Sequence, residues 1–261
     1  MTSLDPRRRV LLRALAAGLT LAGGGFRLTH AEETLFGGVP HPLSAGKSLY
    51  RIRGEVRVND KIADESTRIR ANDTITTEDD SEAIFVVGQD AFFLRQKSEL
   101  QLTGREKLQA RLRQRPLSSP PTPTTEADDS GVVESFRLVT GGLLTVFGKS
   151  DHKASTSTAT VGIRGTGVYF ESEPHRSYVC TCYGTTLISA SDDPASSVKV
   201  KSQHHDAAKY IYRGDDYQAR ITAAPFKNHE DLELMILEAL VGRTPPFAVA
   251  GEAYGAPRRE Y

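Results

Sequence analysis

The 261-residue sequence has no tryptophan and only two cysteines. Two cysteines cannot build a disulfide scaffold. There is no charge excess either: 33 Lys and Arg stand against 33 Asp and Glu. A nucleic-acid binder would show a basic surplus, so that class gains no support. No G-x-S-x-G elbow, H-E-x-x-H pair, phosphate-binding Walker loop or G-x-G-x-x-G turn occurs, and no enzyme is expected. With 25% charged and 38% apolar residues, the chain reads as a folded globular protein of one or two domains.

The N-terminus has the form of an export signal. Arg7, Arg8 and Arg9 precede Val10, Leu11, Leu12 and Arg13, and residues 14–25 carry no charge. Twelve helical residues span roughly 18 Å, short of the ~30 Å hydrocarbon core of a membrane. Basic, apolar and small-residue regions in this order predict a cleaved signal peptide over residues 1–31, with cleavage near Ala31. The arginine pattern resembles a twin-arginine signal. An ordinary secretory signal is the alternative. The expected mature protein is periplasmic and has no transmembrane span. Residues 1–31 hold five Arg and one Asp, leaving 28 basic and 32 acidic residues, a net charge of −4.

The remainder predicts an all-β fold over residues 45–215. Tyr50, Ile52, Val56 and Val58 alternate with polar residues, and Asn59-Asp60, Asn72-Asp73 and Asp79-Asp80 supply turns. Residues 105–131 are basic, then rich in Pro, Ser and Thr, then acidic, and read as a flexible insertion. Strand patterns resume at Val132 and run to about Gly214. Helical spacing of Leu232, Met235, Ile236 and Leu240 predicts one C-terminal helix within residues 225–243, with Asn228 or His229 as N-cap and Gly242 as stop. Residues 244–261 read as a tail.

Several short motifs in order resemble the FecR domain family. They are Gly54-Glu55-Val56-Arg57-Val58, Asn72-Asp73-Thr74-Ile75-Thr76-Thr77, Ser81-Glu82-Ala83-Ile84-Phe85, Gly142-Leu143-Leu144, and Thr158-Ala159-Thr160-Val161-Gly162-Ile163-Arg164-Gly165-Thr166. The resemblance implies a FecR-like β-roll or sandwich of many short strands, outside the cytoplasm. In the family such domains relay a signal from an outer-membrane receptor to a sigma factor. Only six residues precede the arginines and no spanning helix is expected, so the anti-sigma role is not carried over. What the resemblance leaves is a binding or signalling-accessory module with a protein partner in the cell envelope. Arg164 is expected to pair with a turn acid in a structural role.

The one cluster with chemistry is Cys180-Thr181-Cys182 followed by His204-His205. In a strand, residues i and i+2 face one side, so both thiols project together. A return strand or loop would bring the histidines alongside. Cys180, Cys182, His204 and His205 then make a four-ligand site for copper or zinc. Two alternatives stand. One is a thiol-redox pair, strained because an extended i, i+2 spacing lies at the usual disulfide limit. The other is a structural module that docks a partner and has no site. His204 and His205 are expected to be exposed. His152 and His229 read as lone surface residues, and Tyr178, Tyr183, Tyr210 and Tyr212 as strand packing.

Overall fold

A computed structural model describes residues 41–44, 46–105, 131–214 and 219–248. The signal peptide with its cleavage point, almost all of the 105–131 insertion and most of the tail lie outside the described residues. No helix among the described residues is long and apolar enough to cross a membrane.

Among the described residues the fold is all-β with one helix, as the alternation predicts. Seven strands precede the insertion: β1 (Leu49–Arg53), β2 (Val56–Val58), β3 (Lys61–Ile62), β4 (Thr74–Thr77), β5 (Glu82–Val87), β6 (Asp90–Leu94) and β7 (Ser98–Arg105). Seven follow: β8 (Val132–Val146), β9 (Asp151–Ser155), β10 (Ala159–Ser172), β11 (Arg176–Ala190), β12 (Ser197–Ser202), β13 (Lys209–Tyr212) and β14 (Ile221–Ala223). Helix α1 spans Asp231–Leu240. It starts later than expected: Glu230 is the N-cap and forms a capping box with Glu233. Asn228 takes a left-handed conformation, φ 62°, two residues before it.

The strands form one 14-stranded sheet. Among the described residues all pairings are antiparallel except β8 with β9. Three strands are much longer than the short spans expected. β8, β10 and β11 hold 15, 14 and 15 residues. Each bends and changes partners partway. β8 pairs with β7 and β9 through its first half, then with β6 and β10 through its second. Gly141 sits at that bend with φ 87°, and a Cβ there would lie 2.0 Å from the Ser98 hydroxyl. Only glycine meets both demands.

Strand alternation sorts the apolar residues onto two faces. Phe85, Val87, Phe92, Leu94, Leu143, Val168, Phe170 and Val179 face the main core. There Phe85 stacks on Phe92 at 5.1 Å, and Phe136 meets Phe170 edge-on at 5.5 Å. The opposite face carries a row in direct register: Ile84, Phe93, Leu144, Tyr169 and Cys180. These residues are also buried, together with Leu234, Ile236, Leu237 and Leu240 of α1. The second face is thus covered by the chain after β14.

Polar anchors hold that covering layer down. Tyr178 donates to the Pro225 carbonyl, Lys227 pairs with Glu171, and Asn228 donates to the same carboxylate. Arg95 donates to Glu233 in the first turn of α1 at 2.6 Å. Tyr183 donates to Glu238, which Arg243 also contacts. Arg164 lies 3.7 Å from Asp151, as expected, although Asp151 is on β9 and both residues are exposed.

Candidate metal centre

Cys180 and Cys182 lie on β11, and both are fully buried under the covering layer. Alternation places the two sulfurs on one side of the strand, as expected. Strand β12 returns antiparallel along β11, and the turn after it brings the His205 amide to the Cys182 carbonyl at 2.8 Å. His205 itself is left-handed, φ 53°. That uncommon backbone turns its ring inward, while the adjacent His204 ring lands elsewhere.

The four residues that converge are Cys180, Cys182, His205 and His229. Cys180 Sγ is 3.6 Å from His205 Nδ1, and Cys182 Sγ is 3.4 Å from His229 Nε2. The two ring nitrogens are 3.0 Å apart. His204 does not join this set. Its Nε2 meets Asp231 Oδ1 at 2.7 Å, and that same oxygen accepts from His205 Nε2 at 3.0 Å. His204, His205 and Asp231 thus form a second, outer group.

The exposure expected of four histidines is corrected here. His229 is not a surface residue: it is 3% exposed and supplies the fourth group of the inner cluster. His204 and His205 are not exposed either, at 9% and 4%. Aromatic rings explain their burial. Phe226 packs on His205 and His229, and Phe247 packs on His204 and His205. His152 is buried as well, beside Asp90 and Phe147, away from the cluster.

The hydrogen bonds assign the tautomers. His229 Nδ1 faces the Lys227 carbonyl at 2.7 Å, so it carries a proton and donates it. Its Nε2 is then the atom turned to the Cys182 sulfur and to His205. His205 Nε2 faces the Asp231 carboxylate and donates, which turns its Nδ1 toward the Cys180 sulfur and His229 Nε2. His205 Nδ1 and His229 Nε2 therefore face each other across 3.0 Å. Either a proton or a cation must lie between them. Oxygen acceptors on the far nitrogens are the usual outer partners of metal-bound histidines.

The sulfurs are unequal. The Cys182 thiol is the main cause that holds Cys180 well below the ordinary thiol range; burial opposes it, and His205 and His229 add to it. Burial, then the neighbouring Cys180 sulfur, pushes Cys182 well above that range. For His205, burial disfavours the charge, but Asp231 and Cys180 outweigh it and raise its pKa. One sulfur is thus poised as a thiolate beside a second thiol and two imidazoles, in a site closed by aromatic rings. Such a set is suited to holding a soft or borderline cation.

The sequence signal for His204 and His205 was their distance from the cysteines, which does not say which of two neighbours turns inward. The signal for His229 was a histidine immediately before a helix start and three residues after the aromatic Phe226.

No protein family model matches this chain, and no curated protein matches it. Among solved structures, two crystal structures of a candidate anti-sigma factor from Parabacteroides distasonis align with it. Both have a TM-score of 0.38, at 11% and 10% identity. In each case the alignment covers 58% of this chain and 58% of that chain. Likeness at this level decides nothing about fold or function.

Proposed function

We propose that this chain is an exported, FecR-like binding and signalling-accessory module that holds a transition-metal ion through Cys180, Cys182, His205 and His229. The observation that carries the metal is the convergence of two sulfurs and two imidazole nitrogens, with contacts of 3.0, 3.4 and 3.6 Å, each ring fixed from behind by an oxygen acceptor. The FecR-type motifs support the signalling role and a protein partner in the cell envelope. The basic, apolar and small-residue order of residues 1–31 supports periplasmic export. The likeness to anti-sigma structures adds no weight.

The test is to produce the full chain in a bacterium, recover it from the periplasmic fraction, and measure metal by mass spectrometry. One equivalent of zinc or copper, lost in Cys182→Ser, supports the reading. Protein that stays in the cytoplasm counts against export, and metal-free protein counts against the site.

A second reading is a thiol-redox module. The unequal pKa directions of Cys180 and Cys182 favour it, since an activated thiolate beside a resting thiol is the usual redox arrangement. Full burial of both sulfurs opposes it, because a partner disulfide needs an approach path.

A further inference from the structure

Resting on that metal reading, we propose that the ion is Zn²⁺ in a closed tetrahedral site, and that it rivets the covering layer, residues 224–241, to the second face of the sheet.

Three observations support a closed four-ligand zinc site. The first is spacing. Tetrahedral bonds of about 2.05 Å to nitrogen and 2.3 Å to sulfur separate two nitrogens by about 3.3 Å and nitrogen from sulfur by about 3.6 Å. Three of the six distances are 3.0, 3.4 and 3.6 Å, and all six lie within 4.8 Å. The second is ligand number. Two sulfurs and two imidazoles complete four positions, and a filled set is that of a structural zinc rather than a catalytic one. Copper(I) is content with fewer ligands and has no need of both histidines. The third is closure: Phe226 and Phe247 cover the rings, so no open position faces water.

The rivet follows from where the ligands sit in the chain. Cys180 and Cys182 belong to the sheet, His205 to the turn between β12 and β13, and His229 to the covering layer. Asp231, the first residue of α1, holds His205 from behind. The ion therefore joins the sheet to the layer directly through His229, and to the helix through Asp231, which is a positioning residue. Backbone geometry agrees. His205 and Asn228 both take left-handed conformations, which are unfavourable for a non-glycine residue. Both turns aim an imidazole at the same point, and a bound ion offsets that cost. By linkage, whatever binds only the docked layer must hold the layer docked.

The experiment uses the full chain, stripped of metal under reducing conditions and then titrated with Zn²⁺, with amide hydrogen exchange as the readout. Expected are one bound Zn²⁺ and slower exchange across residues 224–241. At a hundredfold excess over Kd, opening of the layer slows by up to about a hundredfold. Exchange in β5 and β6 stays unchanged. Co²⁺ in place of Zn²⁺ gives thiolate charge-transfer and tetrahedral ligand-field bands. In His229→Ala, Zn²⁺ no longer slows exchange in the layer.

One bound Zn²⁺ without slower exchange in the layer overturns the rivet and leaves the metal site standing. Loss of protection across the whole sheet on stripping also overturns it, because the rivet is local. Binding of Cu(I) but not Zn²⁺ overturns the choice of ion. If neither binds, the metal reading itself fails.

Discussion

The ring of His229 lies against the ring of Tyr169, with centroids 4.5 Å apart and planes 20° from parallel. Tyr169 is the neighbour of Cys180 in the register of β10 and β11. The sheet therefore fixes His229 from its face while the Lys227 carbonyl fixes it from its edge. A ring held on two sides loses little freedom on binding an ion. Tyr169→Phe keeps the stack and should keep metal affinity. Tyr169→Leu removes it, and affinity should fall by about tenfold to a hundredfold, the range typical of outer-partner changes. Competition with a coloured chelator measures both.

The choice between His204 and His229 is directly testable. His229→Ala should abolish stoichiometric metal. His204→Ala removes only a second donor to Asp231, and should leave one equivalent bound with affinity reduced by no more than about tenfold. Elemental analysis of the two proteins after gel filtration separates the cases. Metal loss in His204→Ala alone would restore the ligand set expected from sequence.

Much of this arrangement was legible in the sequence. Period-two alternation gave the all-β fold, and Cys180 and Cys182 at i, i+2 had to share a face. The long strands were hidden because a bend such as that at Gly141 reads as a turn. His205 was legible only as one of two neighbours, since the choice depends on its left-handed φ of 53°. His229 lies 47 residues from its sulfur partner Cys182. Its place depends on the covering layer docking on Tyr169, which no local pattern encodes.

Gly167 lies close under that layer. A Cβ there would lie 2.6 Å from the Tyr183 ring and 3.0 Å from Leu234 of α1. Tyr183 is itself fixed by Glu238, so the ring has little room to give. Gly167→Ala should destabilise the fold by about 1–3 kcal/mol, the range for overpacking. Urea unfolding at constant slope is the measurement, and a change under ~0.5 kcal/mol would show that helix and ring shift freely.

Acid should loosen the layer through Glu171. Burial raises the pKa of this carboxyl, but hydrogen bonds from Lys227, Asn228 and Tyr169, with the Lys227 charge, outweigh burial and hold it below its ordinary 4.5. Between the lowered folded value and 4.5, the unfolded chain binds more protons. The contribution is therefore present above pH 4.5 and is lost as pH falls through the folded value. In Glu171→Gln this component is absent. The stability gap between wild type and variant should narrow on acidification below about pH 4, as read from unfolding midpoints. A gap independent of pH would mean that Lys227 and Glu171 do not pair in solution.

The thiols give the last prediction. Both are free, and they sit at i, i+2 in β11, where extended geometry separates the Cα atoms by about 6.6–7 Å. A bridge between them requires β11 to buckle at Thr181, whose side chain is buried and hydrogen-bonded to Thr186 at 2.7 Å. Oxidation must therefore disturb pairing with β10 on one side and the docked layer on the other. Metal-free protein kept folded in air should show two alkylatable thiols once denatured under reducing-agent-free conditions. Unfolded protein given the same exposure should show none, because the backbone at Thr181 is no longer held extended. Rapid bridge formation in the folded, metal-free protein would move the balance to the thiol-redox reading, since the strand would then yield at Thr181 at little cost.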